Sequence, residues 1–204
     1  MWVIKLGGSL QATEALLPWL KALARCNVVL VPGGGAFADT VRALQQRWRF
    51  SEQAAHDMSV LSMQQYGRML ADMAGLPVLK NHSRFETSQD RAVVWLPDPD
   101  MLNQADVPVS WHVTSDSLAA WLAHQLHAEH LLLVKSISLP FADDIGQSSL
   151  PVRVPVERGW VDKAFPGFIR HVSFKTWLCG ASDHVRVPVL MNDPARCLLQ
   201  LLAH

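Results

Sequence analysis

The sequence has no excess of charge of either sign: 18 basic side chains stand against 18 acidic ones. It also lacks any long basic run, so bulk electrostatics give no reason to expect nucleic acid as a partner. Cysteine is scarce. Cys26, Cys179 and Cys197 are the only three, far apart and without CxxC spacing. They read as reduced thiols of a cytoplasmic protein, not as a disulfide scaffold or a zinc site. No apolar stretch reaches the roughly 18 residues of a membrane helix, and the first residues lack the regions of a secretory leader. Membrane association is therefore not expected. Also missing are the Walker A spacing GxxxxGK[ST], the dinucleotide fingerprint GxGxxG and the GxSxG elbow of many hydrolases.

What is present is a hydrophobic chain of 204 residues, half of them apolar and 18% charged, which excludes disorder. That length suits one domain spanning residues 1–204. Eight tryptophans are many for this size and are read as core and interface packing.

Strand-like and helix-like segments alternate from the start. Residues 2–6 read as a strand, 11–25 as a helix with Leu16, Leu17, Leu20 and Leu23 on one face, and 27–31 as a second strand. A helix is predicted from Ala36 to about Trp48, and a long one over 51–75. Strands are expected at 77–80 and 92–96, with NHSRFETSQDR between them as a polar connection. Prolines rule out one regular element over 97–110. A helix over 116–128, capped near Ser115 or Asp116, leads into the buried strand HLLLVK at 130–135. Residues 138–160 read as irregular, with a short strand at 152–156. KTWLCG at 175–180 reads as a strand, and a final helix is expected from about Asp193, capped by Asn192. Such alternation predicts an α/β fold with a mainly parallel sheet between helical layers.

The chemistry starts at VIKLGGSL, residues 3–10. An ammonium, Lys5, lies in an apolar strand that ends at Gly7-Gly8-Ser9. A second strand ends at Gly33-Gly34-Gly35. In a parallel sheet, loops after strand carboxyl ends gather along one edge, where ligands bind. Glycines let backbone N–H groups approach an anion, and a following helix favours negative charge at its N-terminus. Two such loops read as facing phosphate cradles.

KLGGS at 5–9, VPGGG at 31–35, TSDSLAAWLA at 114–123 and LLLVKSI at 131–137 resemble the amino acid kinase family. The resemblance implies a three-layer α/β/α sandwich around a mainly parallel sheet, with ATP and Mg²⁺ as cofactors. It also implies a small-molecule acceptor opposite the nucleotide, and an oligomer of identical chains. By position, Lys5 would touch the transferring phosphoryl group, and Gly7, Gly8 and Ser9, with Lys135 and Ser136, would hold ATP. Gly33, Gly34, Gly35, His56 and Ser115 would shape the acceptor side, and Asp116 would hold the active-site lysines.

A second lysine is expected after the 131–137 strand. Lys163 in WVDKAFPGF is the candidate, with Lys135 behind it; the glycine–methionine–lysine pattern common in the family is missing there. Asp162 could instead cap a helix. SEQAAHDMSVLSMQQYGRMLA at 51–71 and VDKAFPGFI at 161–169 resemble the short furan phosphate kinases of methanofuran biosynthesis. Their acceptor, [5-(aminomethyl)furan-3-yl]methyl phosphate, carries an amine that Asp57 or Glu52 could face. Kinases of other small phosphates or carboxylates, and a nucleotide-binding regulatory or storage protein without turnover, are the alternatives. His124, His127 and His130 recur at three-residue spacing, read as helix-end or exposed side chains. No protein-held metal is expected, because magnesium is often carried by phosphates.

Overall fold

The computed structural model describes residues 1–82, 91–139 and 149–203. Its first strand, β1 (Trp2–Leu6), pairs in parallel with β2 (Val28–Pro32) on one side and β5 (His130–Val134) on the other. Beyond β2 lie β4 (Val93–Trp95) and β3 (Val78–Leu79); beyond β5 lie β7 (Lys175–Cys179), β8 (Leu199–Leu202) and β6 (Ser149–Pro151). The described sheet therefore has eight strands in the order β3-β4-β2-β1-β5-β7-β8-β6. Every pairing is parallel except β7 with β8.

Strand parity decides which side chain meets which layer. Val3 packs into the cluster that holds Leu118 and Leu122, whereas Ile4 and Leu6 pack into the opposite cluster with Trp19, Leu20 and Tyr66. Lys5 shares the parity of Val3. It is flanked in register by Val31 and Leu133, which belong to the Val3 cluster. The sequence thus turns Lys5 towards the layer containing α5 (Ser115–Gln125).

The remaining helices are α1 (Leu16–Leu23), α2 (Gly35–Trp48), α3 (Glu52–Ala74), α4 (Pro99–Gln104), α6 (Arg153–Glu157), α7 (Phe165–Phe168) and α8 (Val187–Asn192). α3 has clear punctuation: the Ser51 side chain accepts from the Ala54 N–H, and Gly75 closes the helix at φ 61°.

Several expectations need correction. The predicted helix over 11–25 splits into a 3₁₀ turn, Gly8–Ala12, and the shorter α1. The helix expected from 116 begins at Ser115 after Thr114, so neither Ser115 nor Asp116 is its cap. His130 belongs to β5, not to that helix. The strand expected at 152–156 is displaced to β6, and α6 occupies most of those residues. The final helix is replaced by α8, a 3₁₀ turn at Pro194–Arg196 and then β8. Leu199 and Leu201 are buried while Gln200 is not, the alternation of a strand with one face on the core. Most of the polar connection at 81–91, and residues 140–148 of the irregular stretch, lie outside the described residues.

Candidate functional site

The carboxyl ends of β1 and β2 deliver their glycine loops to one edge, where the loops touch backbone to backbone. A Cβ on Gly8 would lie 2.3 Å from the Gly35 nitrogen, and one on Gly33 would lie 2.2 Å from the Gly8 nitrogen. Neither position admits a side chain. Gly35, at φ 56°, is in the left-handed region that glycine adopts without strain. Two amides are already committed to the frame: Gly7 N–H donates to Val134 and Gly33 N–H to Leu6. The Ser9 and Ser136 hydroxyls hydrogen-bond at 2.8 Å, linking the loop after β1 to the one after β5.

Lys5 and Asp116 are both buried, 5% and 4% exposed. The Lys5 ammonium lies 2.9 Å from Asp116 Oδ1. Lys135, the residue after β5, places its ammonium 2.6 Å from each Asp116 oxygen. Asp116 therefore holds two ammoniums, and the nearby Asp162 carboxylate adds a further attraction on Lys135. Burial alone would raise the Asp116 carboxyl, but Lys135 and Lys5 more than offset it and hold it well below the usual carboxylate range. Burial pushes the Lys135 ammonium down to about 8, against the opposing pull of Asp116; the Lys5 charge adds to the lowering.

Asp116 is aimed by a residue far along the chain. Asp162 accepts five hydrogen bonds: from the N–H and hydroxyl of Thr114, from the N–H and hydroxyl of Ser117, and from the Phe165 N–H. Asp162 thus caps α5 from outside its own segment, in place of the Thr114 side chain. Its own N–H donates to Asp116 Oδ2 at 3.3 Å.

These groups line a pocket of about 570 Å³ that includes Lys5, Gly7, Gly8, Ser9, Asp116, Lys135 and Ser136. Lys163 lines this pocket too, but Asp116 pairs with Lys5 and Lys135, not with Lys163. Beside it lies a smaller cavity of about 90 Å³, lined by Gly34, Glu52, His56, Ser115 and apolar side chains of α3 and α5. Arg42, Trp111 and Thr114 line both, so the two spaces meet there. Gly33 and Gly35 are not among the lining residues of either pocket, although Gly34 is. His56 is 7% exposed, and its Nε2 is buried with no hydrogen-bond partner. Burial lowers its pKa more than neighbouring Asp57 raises it.

Asp57 itself accepts from Gln53 and Asn103, away from the cavity; Glu52 is the acid that lines it. The three spaced histidines do not converge. His124 is on α5, His127 follows it at φ 49°, and His130 stacks on Trp2 at 4.3 Å.

Sequence reasoning passed over Arg42, Trp111 and the role of Asp162. Arg42 lies two turns into α2 from the second glycine loop, and that spacing is the signal that could have found it.

The geometry is that of a polyphosphate site: two glycine loops, two ammoniums and the N-termini of α2 and α5 at one sheet edge. A model of the amino acid kinase family matches residues 1–77. Across 143 residues, 67% of its length, the chain is 27% identical to the [5-(aminomethyl)furan-3-yl]methyl phosphate kinase of Methanocaldococcus jannaschii. That match spans 66% of the relative's own length. The uridylate kinase of Archaeoglobus fulgidus superposes with a TM-score of 0.71 at 18% identity, over 98% of this chain and 99% of its own. A T. acidophilum isopentenyl phosphate kinase product complex superposes at 0.61 with 12% identity, over 99% and 100% of the two chains. These structural likenesses show that the chain shares the fold of these kinases over 98–99% of its length.

For a bound nucleotide the donor set fits: the Lys5, Lys135 and Lys163 side chains and the Ser9 and Ser136 hydroxyls line one pocket with the first glycine loop. For magnesium, no group of three or more His, Cys, Asp or Glu side chains able to hold a metal is found among the described residues. Asp116 and Asp162 are both taken up by protein donors. A magnesium ion here would therefore be held chiefly by phosphate oxygens. Among the described residues, no helix is long and apolar enough to cross a membrane.

Proposed function

We propose that this chain transfers a phosphoryl group from Mg-ATP to a small phosphomonoester, with [5-(aminomethyl)furan-3-yl]methyl phosphate as the acceptor and its diphosphate as product. One observation carries the reading: two ammoniums fixed on one buried carboxylate stand, with Lys163, at the pocket lined by the first glycine loop. Phosphoryl transfer between two anions asks the protein for alignment and charge stabilisation more than for covalent chemistry. Lys5 and Lys135 neutralise charge on the moving group and the phosphates beside it. Asp116 fixes the ammoniums so that little reorganisation is needed as charge develops. The loop of Gly7, Gly8 and Ser9, with Ser136, cradles ATP. The N-termini of α2 and α5 face the acceptor phosphate, with Gly34, Ser115 and Arg42 nearest. Lys163 lies at the same pocket as a counter-charge to the nucleotide.

The M. jannaschii relative supports the furan acceptor, as does the presence of Glu52, an acid, in the smaller cavity. Phe37, Leu44 and Trp48 expose apolar surface along α2, consistent with assembly into a homo-oligomer. The test is ³¹P NMR of a reaction holding Mg-ATP and the furan monophosphate. The expected result is ADP together with a new diphosphate. ATP bound without turnover would instead favour a regulatory or storage protein of the same fold.

A further inference from the structure

Three residues, Arg42, Trp111 and Thr114, line both pockets. Two of them have no side-chain donor left for a ligand. The Thr114 N–H and hydroxyl are engaged by Asp162, and the Trp111 indole N–H donates to Gln45 Oε1 at 2.6 Å. Arg42 keeps its donors: among the described residues no carboxylate pairs with its guanidinium.

This exposed cation is held by a ring. Its guanidinium lies 4.4 Å from the centre of the Trp111 ring. The ring is fixed in turn at both ends. Its backbone lies in a turn that the Val113 N–H closes on the Ser110 carbonyl, and the His112 N–H donates to the Ser110 hydroxyl. Its indole is held by Gln45, which lies one turn along α2 from Arg42. Gln45 is anchored by donating to the Phe50 carbonyl and to the Glu52 carboxylate.

The geometry points to Trp111 as a positioning residue: it holds the Arg42 guanidinium where the pockets meet, so that one arginine bridges the acceptor phosphate and the γ-phosphoryl group. The inference rests on the kinase reading and adds the device that brings its two anions together.

The transfer step demands such a bridge. An acceptor phosphate oxygen bonds to the γ-phosphorus as the bond to the bridging oxygen of ATP breaks, and ADP leaves with the electron pair. Both partners are anions and repel until a cation lies between them. A guanidinium presents five N–H donors in a planar fork that can grip an oxygen on each side, whereas an ammonium is a point charge. Lys5, Lys135 and Lys163 line the larger pocket and not the smaller one, so none of them spans the junction. An arginine free in solvent would surrender rotamer freedom at every turnover; stacking on Trp111 removes that loss beforehand.

The experiment is steady-state ADP release with the furan monophosphate as acceptor. Arg42→Ala should lower kcat by about a hundredfold. Trp111→Leu should lower it by about tenfold, and Trp111→Phe, which keeps a ring face, by less than about threefold, with the KM for ATP within about twofold of wild type. Once Arg42 is already alanine, Trp111→Leu should cost less than about a further twofold, because the residue it serves is gone. Added guanidinium should restore Arg42→Ala by about tenfold and the double variant by less than about twofold.

Equal losses from Trp111→Leu with and without Arg42, Trp111→Phe as damaging as Trp111→Leu, or guanidinium rescue that does not need Trp111 would overturn the inference. If Trp111→Leu fails to fold, Arg42→Ala decides alone: rescue by guanidinium and not by methylammonium supports stacking, and equal rescue by both refutes it. The two readings fail separately. Additive losses in a chain that turns over refute the positioning role. A wild type without acceptor-dependent release refutes the kinase, and positioning is then read from binding of inorganic phosphate, which Trp111→Leu should weaken only while Arg42 is present.

Discussion

The two pockets that meet at Arg42 are built by different means. The larger is made of backbone and charge: glycine loops pressed together, two lysines on one aspartate, helix N-termini. The smaller is made of side chains projecting from α3, α5 and the residues around Trp111. On the proposed reading, backbone and charge serve what every phosphoryl donor shares, and side chains serve what distinguishes one acceptor from another. Kinases named for uridylate and for isopentenyl phosphate share this fold at 12–18% identity, as that division of labour would allow. The same division says where substitutions should alter rate and where they should alter selectivity.

The sharpest way to break the contrast is to remove charge from the larger pocket. Lys135→Met should lower kcat by roughly 10²–10³-fold, the scale of losing one preorganised donor to a developing charge. Lys163→Met should cost under about tenfold, since no ion pair ties it to Asp116; steady-state ADP release measures both. If Lys163→Met is the more damaging, the assignment of the second lysine is reversed.

Next in size is the loop contact. Gly8→Ala drives a methyl into the Gly35 backbone, whereas Gly167→Ala meets nothing within 4 Å. The first should destabilise by about 3 kcal/mol and the second by less than about 0.5 kcal/mol in urea unfolding. Asp162→Asn comes third. It keeps the shape but weakens an acceptor serving five donors, costing about 1–3 kcal/mol. Because Asp162 steers Asp116, kcat should fall with little change in the KM for acceptor.

The smallest effect is on pH. Lys135 must be an ammonium to act, so kcat/KM should decline as pH rises through about 8. Asp116 remains ionised far below neutrality and gives no acid limb there. The lowered lysine also has a stability signature. The folded state releases this proton before the unfolded one, so this group's contribution to stability should rise between about 8 and 10.5. Thermal melts across that range check the sign.

Legibility in the sequence followed locality. β1, β2 and their glycine loops were readable because strand parity and paired glycines are local signals. α3 was readable because Ser51 and Gly75 mark its ends. Lys135 was within reach: Leu6 pairs with Val134, so the next residue must emerge at the same edge as Gly7. Two things were hidden. LLQLL has the apolar density of a helix, and only its place beside β7 makes it a strand. Asp162 caps a helix whose first residues lie 45–48 positions earlier, which no local motif can announce. The smaller cavity was partly visible, since Glu52 and His56 share a face of α3 at i, i+4 spacing. That Glu52 lines it and Asp57 does not needed the contacts.

The most direct measurement of the central claim is acceptor-dependent ADP release from Mg-ATP by the wild-type chain and by Lys5→Met, with nucleotide binding followed in parallel. The account predicts steady release by the wild type and a loss of at least about a hundredfold in the variant, which should still bind ATP. Undiminished turnover in Lys5→Met would contradict it.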